Sequence, residues 1–146
     1  MTPEQLFTVA NTAVLPGWAL LIFLPRWRWT TRFVAPVLIP APVALLYIYL
    51  IATNLLGSEG GFGTLEGVAQ LFQSPTLLLA GWVHYLAFDL FIGAWEVRDA
   101  RAQGVPHLLV IPCLLGTFML GPAGLLLYLI LRATMRRRLL IDEHAA

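Results

Sequence analysis

PTLLLAGWVHYLAFDLFIGAWEVRD, residues 75–99, decides what kind of chain this is. The run is apolar and long enough to cross a hydrocarbon core of about 30 Å, which takes about 20 helical residues. Even so, it carries His84 and Asp89 at membrane depth and closes with Glu96 and Asp99. A titratable side chain at the bilayer centre costs roughly 2.5–3.5 kcal/mol on insertion scales, so it faces a protein interior or a wet cavity. No other stretch holds so many polar groups so deep. Chemistry is sought here first.

Composition supports a membrane protein. Of 146 residues, 59% are hydrophobic and 12% charged, against about 25% charged in soluble domains. Continuous apolar runs alternate with short basic clusters, which describes one all-α multi-span domain; a β-barrel would show alternation of period two. The single Cys113 excludes an internal disulfide and a cysteine-based metal cage. A net charge of +1, with arginines flanking the spans, gives no nucleic-acid signal. Three histidines and no HExxH exclude a histidine-rich di-iron cage, so no metal or cofactor is expected. Haem on His84 stays open but unsupported. The opening MTPEQLF lacks a basic n-region, so the first apolar run reads as a retained span in a bacterial inner (plasma) membrane.

Four spans are expected, over residues 6–24, 33–56, 75–97 and 107–131. The first has Thr2 as cap, Pro3 at its first position and Pro16 inside, a residue that usually kinks a helix. Asn11 within it either packs or lines a cavity shared with the third span. Pro36, Pro40 and Pro42 crowd the start of the second, placing its regular part from Val43 onward. A glycine-rich loop and a short interfacial helix over 65–72 follow, and Ser74-Pro75 start the third span. The chain ends in a polar tail containing Asp142, Glu143 and His144.

Charge does not orient four spans cleanly. Arg26, Arg28, Arg32, Arg98 and Arg101 would share one side, with Arg132, Arg136, Arg137 and Arg138 on the other. A last segment that is re-entrant, turning at Gly121-Pro122, would bring all nine together. A kinked single span is the first choice, because 25 residues suit one tilted helix.

At about 100° per residue, Trp82, Tyr85, Asp89, Gly93 and Glu96 form one stripe of the third span, and His84, Phe88, Phe91 and Trp95 another. His84 and Asp89 lie about 140° apart around the axis and cannot pair directly. Asp89 and Glu96 share a face and can work as a carboxylate pair. Against these stand plainer readings: His84 as a hydrogen-bonded core residue, and Glu96 and Asp99 as solvated helix-end charges neutralised by Arg98 and Arg101. His107 either anchors the last segment or folds back toward Asp99.

Trp82-Val83-His84, Asp89-Leu90-Phe91, Asp99, His107 and Gly121-Pro122 with Gly124 resemble the abscisic-acid-deficient-four-like (neoxanthin-synthesis) family. Leu46-Tyr47-Ile48-Tyr49 and residues 67–74 agree more loosely, so the resemblance covers nearly the whole chain. It departs at Trp95-Glu96, where the plant pattern is more basic or amide-bearing. The resemblance implies a four-span membrane protein linked to converting violaxanthin to neoxanthin, an isomerisation that opens an epoxide and forms an allene. That chemistry asks for an acid and a base, which the motif positions assign to Asp89 and His84. Trp82, Tyr85, Glu96, Asp99, His107 and Asn11 become candidate substrate contacts. The expected partners are the bilayer and a carotenoid or related isoprenoid, with a homo-oligomer left open. The alternatives are a non-catalytic scaffold for a pigment enzyme and a small proton-linked transporter using Asp89.

Overall fold

The computed structural model describes residues 1–136; Arg137, Arg138, Asp142, Glu143 and His144 lie outside the described residues. Among the described residues the regular structure is helical throughout. Three helices are long and apolar enough to cross a membrane: α1 (Pro3–Phe23), α2 (Thr30–Asn54) and α4 (Pro75–Ala102). A short α3 (Leu65–Leu71) precedes α4, while α5 (His107–Leu120) and α6 (Pro122–Arg136) follow it.

Local chemistry sets the ends. Thr2 and Gln5 form a reciprocal capping box before Pro3, so α1 starts with its free N–H groups satisfied. Thr64 caps α3 through Gly67 N. Pro16 sits inside an unbroken α1. In α2 the prolines act differently. Its first part, Thr30–Leu38, is π-helical, with Ile39 N donating to Val34 O five residues back at 3.1 Å. A proline ring clashes with the carbonyl four residues before it. The wider π turn relieves that clash at Pro36, and Pro40 then opens the α-helical part at its first position. Helix therefore begins ahead of the prolines rather than only at Val43.

α4 is the central element. Phe7 and Asn11 meet Trp82, Trp18 meets Gly93, and Arg101 donates to Pro25 O, so α1 runs parallel to α4. Tyr47 meets His84, while Ile51 and Leu55 lie beside Leu77, so α2 runs antiparallel. Leu21, Leu90 and Leu114 are fully buried where these helices meet.

The single span expected over 107–131 is instead two helices folded back on each other at Gly121, which adopts φ +50°. Thr117 of α5 reaches Glu96, Gly121 lies against Asp89, and Tyr128 of α6 returns to Asp99. α5 thus descends along α4 and α6 climbs back. Its 14 residues cover about 21 Å, short of a full hydrocarbon core. Gly121-Pro122 breaks the helix because Pro122 cannot donate to it and Gly121 takes a positive φ without strain. Among the described residues the fold therefore has three long apolar helices and a hairpin of two shorter ones.

Between helices in lipid, close packing replaces the hydrophobic effect, and small residues permit it. A Cβ on Gly124 would run into Thr117 N, and one on Gly93 would lie 2.8 Å from Trp18 Cζ3. The hairpin closes only because both its inner faces carry glycine, Gly116 against Gly124. Gly124→Ala is therefore expected to lower the thermal midpoint in detergent sharply, a loss of about 1–3 kcal/mol or more. Gly63→Ala, with open space around it, leaves the midpoint within a degree or two. Equal midpoints for the two variants would refute the packing argument.

Candidate functional site

Most polar side chains of the long helices spend their hydrogen bonds on their own backbone. Asn11 Nδ2 donates to Phe7 O at 2.7 Å, Thr12 to Thr8 O at 2.8 Å, and Asn54 to Leu50 O at 2.9 Å. Such groups cost little in a bilayer. An ionised carboxylate has no proton to donate and every helical N–H is already used, so it must look elsewhere.

α4 carries three of them on the side facing the hairpin. Glu96 is fully buried and accepts from Thr117 Oγ1 at 2.8 Å. Asp99, 8% exposed, lies 2.8 Å from Arg132 Nε and accepts from Tyr128 Oη on the same oxygen. Trp95 meets the Tyr128 ring edge-on at 5.6 Å and closes the cluster. Glu96 and Asp99 are thus interior groups and not solvated helix-end charges. Arg132 of α6 neutralises Asp99, whereas Arg101 donates to Pro25 O.

Asp89 stands at the midpoint of α4, half-buried, where α5 turns into α6. A Cβ on Gly121 would lie 3.0 Å from Asp89 Oδ1 and 3.1 Å from Tyr85 Cε2, so carboxylate and phenol ring together cradle the turn. Neither Asp89 Oδ2 nor Glu96 Oε2 has a hydrogen-bond partner among the described residues. Buried polar atoms left this way mark a place for water, substrate or a proton. Asp89 and Glu96 do share a face, as their spacing indicates, and the hairpin covers it.

The remaining candidates divide between two other places. Trp82 packs against Phe7 and Tyr85, and its Nε1 donates to Asn11 Oδ1 at 3.2 Å, which joins Asn11 to the third span. Phe7, Phe72, Leu78 and Trp82 bound an apolar groove of about 750 Å³ between α1 and α4 that reaches Tyr85. His84 lies apart from Asp89. It stacks on Phe88 at 4.6 Å and tilts against Tyr47, beside a separate cavity of about 210 Å³. His107 Nε2 lies 3.0 Å from Ile22 O and so anchors α5 to the end of α1, away from Asp99.

Thr117, Tyr128 and Arg132 are the site residues that sequence reasoning missed. A signal existed: Tyr128 and Arg132 are four apart, on one helical face, and Arg132 stands before the Arg136 cluster, inside the helical run. Reading it as a flanking charge hid it. Among the described residues no group of three His, Cys, Asp or Glu side chains is placed to hold a metal ion.

Long apolar helices around a buried acidic file covered by a helical hairpin define a multi-span helical membrane protein. Residues 5–128 match the ABA4-like family, described as ABA DEFICIENT 4-like, and the chain belongs to that family. It is similar to Protein ABA DEFICIENT 4, chloroplastic, of Arabidopsis thaliana, 27% identical over 104 residues. That match covers 66% of this chain and 47% of the relative, so the chain spans about half the length of the relative it matches. No solved structure matches.

The Asp99–Arg132 contact gives a stability prediction. Removing one member of a buried pair strands the other charge and costs about 3–5 kcal/mol, while replacing both by apolar groups is often neutral. Arg132→Met alone should collapse the thermal midpoint, and Asp99→Leu combined with Arg132→Met should restore most of it. A double variant no better than the single one would show that the pair is not the reason.

Proposed function

We propose that this protein binds a carotenoid or related isoprenoid within the bilayer and isomerises it at Asp89. The observation that carries the reading is a half-buried carboxylate at the midpoint of α4, one helical turn from Tyr85, which also lines the apolar groove. Membership of the ABA4-like family supports the same substrate class, through the neoxanthin-synthesis chemistry that the sequence motifs imply. A polyene is an extended apolar rod with its oxygen at the end ring. Phe7, Phe72, Leu78 and Trp82 suit the rod; Tyr85 meets the oxygen from the groove's lining, and Asp89 from the next turn of α4, beyond that lining.

The step balances without a redox partner. Asp89 in its acid form protonates the epoxide oxygen as the C–O bond breaks. The carboxylate so formed takes a proton from the adjoining chain carbon, whose C–H electrons become the new double bond. One residue serves as acid and then base, and ends protonated as it began. Tyr85 holds the oxygen in place. His84, on another face, belongs to packing against Tyr47 and Phe88 rather than to this step.

In the same reading, three spans cross the bilayer and the α5–α6 hairpin is re-entrant, turning at Gly121 near the midplane. Backbone of that kind is tolerated where it lies against protein, and the inner face of the hairpin packs on α4. Arg26, Arg28, Arg32, Arg98, Arg101, Arg132 and Arg136 then all lie toward one end, with Glu4, Glu59 and Glu66 toward the other. The positive-inside rule makes the basic end cytoplasmic.

The test is conversion of an epoxy-carotenoid by the purified protein in detergent, followed by absorption spectrum and chromatography. Asp89→Asn should lose about 100-fold or more in turnover while still binding pigment, and His84→Ala should stay within a few-fold of the wild type. Wild-type conversion by Asp89→Asn would sink the mechanism. A wild-type protein that binds pigment without ever converting it would replace the enzyme with a carrier or scaffold.

A further inference from the structure

A second cavity, of about 810 Å³, opens at the basic end, far from Asp89, between the end of α1, the end of α4 and the start of α5. Its wall is apolar, formed by residues such as Ile22, Val97 and Ile111, with the exposed Leu108 at its edge. Its rim carries Arg26, Trp27 and Arg101, all exposed, together with His107. The lining contains no acidic residue. The nearest carboxylate on α4, Asp99, is already engaged by Arg132 and Tyr128.

Two of the polar groups are partly used. His107 Nε2 meets Ile22 O, and Arg101 donates to Pro25 O, so one carbonyl in the last turn of α1 and one just beyond its end are answered from α5 and α4. These contacts fix the rim in place. Arg26 makes no ion pair or hydrogen bond among the described residues, and its guanidinium is free for a ligand. Trp27 beside it is of a residue type that favours the membrane–water boundary.

We propose that this cavity binds one anionic phospholipid of the surrounding leaflet. Arg26 and Arg101 hold its phosphate, and an acyl chain lies along Ile22, Val97 and Leu108. Charge complementarity selects the occupant. Two guanidinium groups suit a phosphate, and a fork of N–H donors grips its oxygens. Basic pockets between helices on the cytoplasmic side take lipid headgroups in this way. A zwitterionic lipid brings an ammonium as well, and the lining offers no carboxylate to receive it. The proposal is independent of what occupies the groove at Tyr85.

Native mass spectrometry of the full chain, released from detergent with defined lipids added, provides the test. Phosphatidylglycerol should bind one per chain, at least tenfold tighter than phosphatidylcholine of the same acyl length. Arg26→Gln should weaken it about tenfold, and Arg26→Gln with Arg101→Gln should abolish the preference. Arg28→Gln, whose guanidinium stacks on Trp29 outside the cavity, should change nothing, which separates the site from bulk loop charge. Because Arg26 has no hydrogen-bond or ion-pair partner among the described residues, its variant is expected to fold as the wild type does. Equal affinity for the two lipids, or phosphatidylglycerol binding untouched by Arg26→Gln, would overturn the proposal. Displacement of the lipid by millimolar inorganic phosphate alone would also overturn it, in favour of a simple anion site.

Discussion

A carboxylate on a membrane helix finds no free backbone donor within that helix, and this constraint shapes most of the fold. Thr12 and Asn54 turn back to carbonyls of their own helix and need nothing from another one. Glu96 and Asp99 cannot, so partners must come from another element, and the hairpin supplies them as Thr117, Tyr128 and Arg132. Because Asp99 is met from α6 and Glu96 from α5, both arms of the hairpin are tied to one face of α4. The turn is then left beside Asp89.

That arrangement explains why the glycines fall where they do. Gly116 and Gly124 let the arms touch through backbone, and Gly121 passes the chain over a carboxylate and a phenol ring with no room for a side chain. Packing and electrostatics thus depend on each other. The arms approach closely enough for their polar side chains to reach α4 only because glycine removes bulk between them, and their closeness is worth having only because α4 has charges to cover.

The helical class, the membrane setting and the importance of 75–99 were legible in the amino-acid order, because hydropathy over 20 residues is a strong local signal. The family, too, was readable from its motifs. The hairpin was harder. Residues 107–131 have the length of a span, and only charge placement hinted at a fold-back: four spans divided the arginines between two sides, whereas a turn at Gly121 united them. The partners of Glu96 and Asp99 were not legible, since they sit 21 and 29–33 positions away and depend on that turn. The separation of His84 from Asp89 was visible in helical geometry alone.

The π-helical opening of α2 has a consequence for evolution. A π segment is an α-helix holding an extra residue, and each residue added or removed turns everything beyond it by about 100°. Thr30–Leu38 therefore sets the phase of α2, and makes Tyr47 rather than Tyr49 the neighbour of His84. A relative that loses or gains one residue in this segment need not rebuild its contact with α4. The π turn can tighten to α where Pro36 is replaced as well, or a new one can form, and leave the distal half facing as before. The prolines thus sit at a built-in vernier, where insertions and deletions cost the fold least.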